Sequence, residues 1–282
     1  MRVLIVGAGG FIGRHVVAAL QQAGHEAVRG APRPVTTWEQ PSAWQPLLRG
    51  VDAVVYTAGC LRDRAGGVSD LLDLLHHRAP AALASACEAA GIRQLVHLSA
   101  LCGGVSAYAR SKHAGDTALA GRACIVRPSL VVGVGGTSSR MLDRLAWLPW
   151  LALPPQVARC RVQPVHVQDL AAGIVAFLQG PSCTGTWDAV GPEPLTVADC
   201  IARRRAARGL APARLWALPW RVSRASARLG DLLAWGPWCS TALELLAHDS
   251  VGDTPPAAAA QPATAHPPLA QPLRDALAGA WA

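Results

Sequence analysis

Along the first 130 residues, short apolar runs alternate with longer stretches in which apolar side chains recur every three or four positions. Short runs bounded by glycine are typical of buried strands, and the longer spacing is typical of helices. The pattern predicts strands at 2–6, 25–29, 51–56, 94–98 and 123–126, and helices at 11–23, 71–90 and 107–119. This alternation predicts an α/β fold, namely a Rossmann-type, doubly wound parallel sheet with helices on both faces.

The pattern changes after residue 129, and proline, tryptophan and leucine cluster at 145–155. It then predicts a strand at 161–165, a helix at 167–178 and a mostly helical stretch at 196–248. We expect a Rossmann domain over 1–180, a smaller, mostly helical substrate region over 181–251, and an Ala/Pro-rich tail over 252–282.

The charge of the chain argues against a nucleic-acid partner. The formal net charge is +8, but all 26 basic residues except Lys112 are arginines, and they are dispersed apart from Arg203–Arg205. A nucleic-acid binder is expected to show a basic stripe with aromatic partners, and none is visible. We therefore expect these three arginines on the solvated face of a helix.

The eight cysteines show no CxxC or other metal-ligand spacing, and several stand in apolar runs. This predicts a reducing, cytoplasmic setting without a disulfide framework or a metal site. His97 and His166, each in a predicted strand, are expected to be structural. The longest strongly apolar stretch, 145–153, is too short to span a bilayer. We expect a soluble protein without a transmembrane segment, while peripheral membrane contact through Trp147 and Trp150 stays open.

A glycine-rich loop follows the first strand directly and opens the first helix. Such a loop turns sharply, lets the backbone approach a pyrophosphate, and places it at the positive end of a helix. The context of strand, loop and helix makes this a predicted dinucleotide site. Its candidate residues are Gly7, Gly9, Gly10, Phe11, Ile12 and Gly13.

The second predicted strand bears on the choice between NAD and NADP. NAD-specific sites place an acidic residue at the tip of this strand, but Glu26 stands near its start. Arg29 and Arg33 stand where a 2′-phosphate would be met, which favours NADP. The alternative is that both are ordinary surface arginines.

Tyr108 and Lys112 lie four residues apart at the start of a predicted helix, and therefore on one face of it. A cation near a phenol favours the phenolate, so the pKa of Tyr108 is expected to be lowered. A tyrosine tuned in this way can exchange a proton with a substrate oxygen while hydride moves to or from a nicotinamide. The chain has only two tyrosines and one lysine, so this spacing has a chance frequency of about one per cent.

Six motifs follow one another over residues 1–171: VGAGGFIG (6–13), GVDAVVYTAG (50–59), QLVHLSALCG (94–103), SAYARSK (106–112), VRPSLVVG (126–133) and QPVHVQDLA (163–171). As a set they resemble the short-chain dehydrogenase/reductase superfamily. The resemblance is closest to its extended and atypical branch of NAD-dependent epimerase/dehydratase-like proteins and relatives of a complex I accessory subunit of about 39 kilodaltons.

The resemblance implies that Tyr108 is the acid/base, that Lys112 is its partner and holds the nicotinamide ribose, and that Ser99 stands at the end of the strand bearing the catalytic Ser/Thr. It further implies contacts with the adenosine side for Ala58 and Gly59, and with the nicotinamide for Arg127, Pro128 and Ser129. One departure concerns the serine pair common at that strand end, because Ala100 replaces the second serine. Ser106 or Ser111 could substitute, or either could be a helix cap.

These features predict an NAD(P)-dependent oxidoreductase or epimerase-type enzyme that acts on a small-molecule carbonyl or hydroxyl substrate. The rival hypothesis is a non-catalytic NAD(P)-binding protein, either a regulator or an assembly or structural subunit of a respiratory complex. The Tyr/Lys pair counts against a regulator. The missing second serine and the apolar C-terminal half keep the subunit hypothesis open.

Overall fold

The computed structural model describes residues 1–61, 70–233 and 238–252. The first half consists of β1 (Arg2–Val6), α1 (Phe11–Gln22), β2 (Glu26–Arg29), a 3-10 turn (Val35–Thr37), α2 (Pro41–Leu48), β3 (Ala53–Tyr56), α3 (Leu71–Asp73), a π-helical turn (Leu74–Arg78), α4 (Ala79–Ala89), β4 (Gln94–Leu98), α5 (Ala107–Leu119) and β5 (Cys124–Pro128).

The second half consists of β6 (Val131–Val132), α6 (Thr137–Trp147), β7 (Trp150–Leu153), α7 (Pro155–Arg159), β8 (Arg161–Val162), β9 (Val165–His166), α8 (Val167–Gln179), β10 (Gly185–Ala189), β11 (Leu195–Thr196), α9 (Val197–Ala207), β12 (Arg214–Ala217), α10 (Trp220–Leu233) and α11 (Ser240–Leu245).

The central sheet has six parallel strands in the order β10-β5-β4-β3-β1-β2. The direction of strand succession reverses beside β1, because β2 lies on one side of it and β3 on the other. Open α/β sheets bind ligands at the carboxyl edge next to such a reversal. The predicted fold class, a Rossmann-type doubly wound parallel sheet, is confirmed.

Helices cover both faces of the sheet, as the nearly continuous apolar strands require. On one face, Val16 and Leu20 of α1 and Ile174 of α8 pack in one cluster with the inward side chains of β1 and β3. On the other face, Trp44 of α2 and Leu83 of α4 pack in a second cluster. The two layers hold the carboxyl ends of β1, β3, β4 and β5 at one edge.

A third apolar cluster joins α6, β7, α7, β8, α9 and α11 through residues such as Leu151, Val162, Ile201 and Leu243. The strand β10, which follows the boundary expected at residue 180, belongs to the central sheet. The division into two domains at that residue stays a prediction. The predicted tail lies outside the described residues, except for Gly252.

Two predictions about elements are wrong in detail. The single strand expected at 161–165 is two short strands, because Pro164 has no N–H and the N–H of Gln163 donates to Ser129 Oγ at 3.0 Å. The mostly helical stretch at 196–248 also contains β12, which pairs in parallel with β7.

The expectation of a solvated face for the arginine triplet of α9 is wrong for two of its three residues, while Arg203 is exposed. Arg204 and Arg205 are buried, and Arg204 Nη1 lies 2.7 Å from Asp143 Oδ1. Arg205 Nη1 donates to the carbonyl oxygens of Ala146 and Leu148 at 2.7 and 2.8 Å. Because Arg205 satisfies carbonyls at the end of α6, it fixes the direction of the chain that follows.

Candidate active site

The glycine loop lies between the carboxyl end of β1 and α1, as predicted. Gly7 has a positive φ of 88°, and a Cβ atom there would lie 2.7 Å from the backbone nitrogen of Ala58. A Cβ at Gly13 would lie 2.2 Å from the carbonyl oxygen of Gly7. Gly9 instead has open space where its Cβ would stand, and Gly10, the N-cap of α1, offers no side chain to cap the helix. The N–H groups of the first turn, from Phe11 to Gly13, are therefore available to an anion.

The loop after β3 lies directly against the glycine loop. Thr57 donates its N–H and its Oγ1 hydroxyl to the carbonyl oxygen of Val6, each at 2.9 Å. Ala58 forms the backbone wall that Gly7 approaches. A Cβ at Gly59 would lie 3.0 Å from His76 Nε2 and 3.7 Å from Lys112 Nζ. The absence of a side chain at Gly59 therefore lets the Ala58–Gly59 backbone reach the residues of α5.

Tyr108 and Lys112 stand in the first two turns of α5, beside this loop. Lys112 is 4% exposed, and its Nζ donates to the carbonyl oxygen of Leu98, at the end of β4, at 3.1 Å. The same Nζ lies 5.9 Å from the centre of the Tyr108 ring. Burial lowers the pKa of Lys112 to about 8, although Asp116, one turn further along α5, raises it.

The expectation that the pKa of Tyr108 is lowered is wrong for this structure. Burial of the phenol raises its pKa, and the neighbouring thiols Cys102 and Cys60 raise it further. The desolvation of the phenolate therefore outweighs the nearby ammonium. Tyr108 is a neutral phenol at physiological pH.

A buried histidine that the sequence did not single out lies beneath Tyr108. The His76 ring meets the Tyr108 ring edge to face, with their centres 5.1 Å apart. Its Nε2 accepts the N–H of Cys60 at 3.2 Å, so the proton of the neutral ring is on Nδ1, which lies 2.9 Å from Ser111 Oγ. Ser111 Oγ in turn donates to the carbonyl oxygen of Tyr108 at 2.9 Å.

This chain of hydrogen bonds joins the loop after β3 to the first turn of α5. Burial and the neighbouring Lys112 lower the pKa of His76 to about 2, so the ring is neutral. His76 stands in the π-helical turn 74–78, and such turns are frequent at functional sites. A sequence signal existed in the histidine pair His76-His77 inside an apolar helix, but nothing local connects it to Tyr108.

The three serines considered for the catalytic position have different surroundings. Ser106 is the N-cap of α5, and its Oγ accepts the N–H of Ala109 at 3.1 Å. Ser111 Oγ is hydrogen-bonded to His76 Nδ1 at 2.9 Å. Ser99 follows β4, its N–H donates to the carbonyl oxygen of Val126, and its buried hydroxyl has no partner among the described residues. Of the three, Ser99 alone has a hydroxyl without a structural partner.

Arg127, Pro128 and Ser129 come at the end of β5. Arg127 Nε lies 2.7 Å from Asp116 Oδ2, a carboxylate that is 5% exposed. Ser129 Oγ donates to the carbonyl oxygen of Ser250 at 2.6 Å, and Ser250 Oγ donates to the carbonyl oxygen of Leu101 at 2.6 Å. We call residues 248–252 the C-terminal strap. The hydroxyl of Ser129 is therefore hydrogen-bonded to the strap. The expected contact of Ser129 with a nicotinamide stays a prediction.

The carboxyl end of β2 borders an open cavity of about 540 Å³ that is lined by Arg29, Arg33 and Trp38 among others. Both arginines are exposed, and neither forms an ion pair within the described part of the chain. Glu26 stands at the other end of β2 and does not line this cavity. Its Oε1 lies 3.1 Å from Arg2 Nε. The cavity therefore presents cations and no carboxylate from β2.

His97 and His166, which were expected to be structural, have different roles in the fold. His97 is fully buried in β4 and stacks near Tyr56, and burial lowers its pKa well below the ordinary value. His166 is the N-cap of α8, and its Nδ1 accepts the N–H of Gln168 at 3.3 Å.

Comparison with known families shows to which family the chain belongs. The model of the NAD dependent epimerase/dehydratase family matches residues 3–186, well over half of the chain. The chain belongs to this family. The resemblance drawn from the six motifs is thereby confirmed.

Two relatives are similar to parts of the chain. A ceramide reductase from Caulobacter vibrioides is 33% identical over 198 residues, which are 64% of this chain and 61% of that protein. The NADH dehydrogenase (ubiquinone) 1 alpha subcomplex subunit 9 from mouse mitochondria is 31% identical over 124 residues, which are 40% of this chain and 32% of that subunit. This chain thus spans about three fifths of the length of the first relative and about a third of the second.

A solved structure, the dTDP-4-dehydrorhamnose reductase from Bacillus anthracis in complex with NADP, has the same fold. The TM-score is 0.64 at 18% identity, over 77% of this chain and 84% of the other. The residues at the carboxyl edge of this sheet fit the dinucleotide that an NAD-dependent epimerase/dehydratase requires. Gly7 and Gly13 leave no room for a Cβ, and Gly9 leaves open space at the uncapped start of α1.

Proposed function

We propose that this chain is an NAD(P)-dependent oxidoreductase that interconverts a carbonyl and a hydroxyl group through Tyr108 and Lys112, and that reduction is its main direction. The observation that carries the proposal is the burial of Lys112, the only lysine of the chain, one helical turn from Tyr108. Burial of an ammonium costs stability, because desolvation disfavours the charge, so a lysine kept buried at this cost indicates a functional role. The name of the ceramide reductase relative supports the direction of reduction and makes a ceramide-type lipid the first substrate to test.

The residues of the chain divide the chemistry among them. When bound, the dinucleotide supplies or accepts the hydride. In reduction, hydride adds to the carbonyl carbon and Tyr108 Oη donates its proton to the carbonyl oxygen, so that the product is an alcohol and a phenolate. The neutral state of Tyr108 suits this donor role. Lys112 stabilises the phenolate that remains, and it would also hold the ribose next to the nicotinamide.

Positioning falls to the residues around this pair. We propose that Ser99, whose hydroxyl has no structural partner, orients the carbonyl group, and that Gly59 lets the backbone approach the dinucleotide. Arg127 and Pro128 would stand next to the nicotinamide, and Ser129 would act there through its contact with the C-terminal strap. The region expected over 181–251 would supply the substrate pocket. We also propose a reducing compartment such as the cytoplasm, because the spacing of the eight cysteines in the sequence does not indicate a disulfide framework.

We also propose that NADP is preferred over NAD. Arg29 and Arg33 line the cavity at the end of β2, and a guanidinium binds a phosphate through paired hydrogen bonds. Glu26, the one acidic side chain of β2, is engaged by Arg2. A ribose with free hydroxyls would thus lack its usual carboxylate acceptor from this strand.

Replacement of Tyr108 by phenylalanine tests the proposal. We expect Tyr108→Phe to reduce turnover with NADPH and a panel of carbonyl compounds, including a ceramide-type ketone, by about 10²-fold or more. Binding of NADPH, followed by the change in its fluorescence, should be unaffected. Tyr56→Phe is the matched control, because it removes a phenol hydroxyl that donates to Leu75 O at 2.7 Å in the core. Equal activity of Tyr108→Phe and the unaltered protein would refute the proposal.

A further inference from the structure

A group of large apolar side chains is exposed to solvent in the C-terminal half of the chain. We call Trp147, Leu148, Trp150 and Trp216 the tryptophan patch. The indoles are 63, 51 and 64% exposed at Trp147, Trp150 and Trp216. Isolated apolar residues on a surface need no explanation, but a contiguous group rich in tryptophan indicates an interaction site.

Trp150 and Trp216 are brought together because β7 and β12 pair in parallel. Their register sets Arg214 beside Trp150 and Trp216 beside Ala152, so these four side chains share one face of the two-stranded sheet. The Trp150 and Trp216 rings meet edge to face with their centres 5.8 Å apart. Trp147 ends α6, three residues before Trp150.

The patch is held rigidly from inside. Arg205 is buried and binds the carbonyl oxygens of Ala146 and Leu148, on either side of Trp147. Its Nε donates to the carbonyl oxygen of Ala211, in the loop that leads into β12, at 2.8 Å. One side chain thus fixes both segments that carry the tryptophans. The exposed indoles are a built surface rather than the side of a loose loop.

The charges around the patch are almost all positive. The guanidinium of Arg208 lies 5.7 Å from the centre of the Trp147 ring, and that of Arg214 lies 4.9 Å from the Trp150 ring. Arg140 and Arg144 are exposed and precede Trp147 on the same side of α6. Asp143 is the one acidic residue in segments 137–153 and 203–217, and it already binds Arg204 and Arg208.

We propose that the tryptophan patch docks this protein on an anionic phospholipid surface. Tryptophan rings favour the boundary between lipid and water, and arginines near a membrane surface are attracted to anionic headgroups. A second copy of the chain is a poorer occupant, because a two-fold contact would bring two patches of the same positive charge together. The proposed contact is peripheral, through exposed side chains at the lipid surface. Within the described residues, no helix is long and apolar enough to cross a membrane.

The test measures binding of the full chain to vesicles, without cofactor or substrate. Vesicles of phosphatidylcholine with phosphatidylglycerol are compared with vesicles of phosphatidylcholine alone, by co-sedimentation and by quenching of tryptophan fluorescence with brominated lipid. We expect binding to the anionic vesicles that weakens as salt is raised. Trp216→Ser should weaken it about tenfold, and Trp150→Ser with Trp216→Ser should abolish it. Arg214→Gln should weaken binding to the anionic vesicles.

The control variant is Val134→Ser, because Val134 is 90% exposed in the loop before α6 and lies outside the patch. It should bind vesicles like the unaltered protein. NADPH binding by the tryptophan variants shows that they are folded, and it separates failure of this proposal from failure of the proposed catalytic function. Absence of vesicle binding, binding equal in the tryptophan variants, or a dimer in sedimentation that Trp216→Ser dissolves would each overturn the proposal.

Discussion

Replacement of Lys112 by methionine should make the protein more stable while abolishing its activity. The pKa of Lys112 falls from 10.5 to about 8 on folding, so holding the ammonium in the folded protein costs about 3 kcal/mol at neutral pH. Methionine removes this cost and keeps most of the side-chain volume. It also loses the hydrogen bond from Nζ to Leu98 O, which contributes about 1–2 kcal/mol. We expect a net gain of about 1–2 kcal/mol at pH 7.

The sign of the pH dependence makes this prediction specific. Because the pKa of Lys112 is lower in the folded state, the unfolded chain binds the extra proton between pH 8 and pH 10.5. Burial of the Lys112 ammonium lowers the free energy of unfolding at pH 7, and this loss is therefore recovered as the pH rises through this window. The advantage of Lys112→Met should shrink as the pH rises above about 8, and it should be gone by about pH 10.

Unfolding in urea, followed by tryptophan fluorescence with a reductant present, measures both quantities. The buried thiols and Tyr108 have raised pKa values, and for this reason every variant loses stability at high pH. This loss is the same in Lys112→Met and in the unaltered protein, so it cancels when the two are compared. Arg110→Met is the matched control, since Arg110 is an exposed cation of the same helix. A Lys112→Met protein that is less stable at pH 7, with a deficit unchanged at pH 10, would refute the reasoning.

Three further changes test other parts of the site. Arg29→Ser with Arg33→Ser should weaken NADPH binding about tenfold or more with little effect on NADH, as measured by titration; a uniform effect would contradict the 2′-phosphate assignment. His76→Phe leaves the N–H of Cys60 without its acceptor and should cost about 2 kcal/mol of stability, with kcat reduced more than NADPH affinity; unchanged kcat would rule out positioning of Tyr108. Ser99→Ala should lower kcat/KM for the carbonyl substrate while the unfolding midpoint stays within experimental scatter; full activity would remove Ser99 from the mechanism.

The parts of the fold that could be predicted from the sequence depend on local signals. The helix α1 begins after Gly10 and ends before Gly24, a residue with a positive φ of 76°, so its bounds follow from glycines beside it. The strands β1 and β4 are apolar runs closed by turn residues, and their bounds were predicted to the residue. The alternation of such elements is sufficient for the doubly wound sheet.

The parts that could not be predicted depend on partners distant in the chain. His76 looks like any residue of an apolar helix, and it matters because α5 brings Ser111 and Tyr108 to it. The strand β12 forms because β7 offers an edge, and Arg205 is buried because three carbonyl groups surround it. The pKa of Tyr108 was misjudged for a related reason, since the neighbouring cation is visible in the sequence and the burial of the phenol is not.

The C-terminal strap has a consequence for the order in which the protein matures during synthesis. Ser250 closes the loop after β4 by its hydrogen bond to Leu101 O, across 149 residues of chain. Ribosomes add about 5–20 residues per second, so Ser250 leaves the ribosome roughly 7–30 s after Leu101. All six strands of the central sheet precede Ser250, so the sheet can assemble on the nascent chain while this loop still lacks its last hydrogen bonds. The loop after β4 is thus completed among the final steps of folding, and a chain released before residue 250 carries the sheet without these hydrogen bonds.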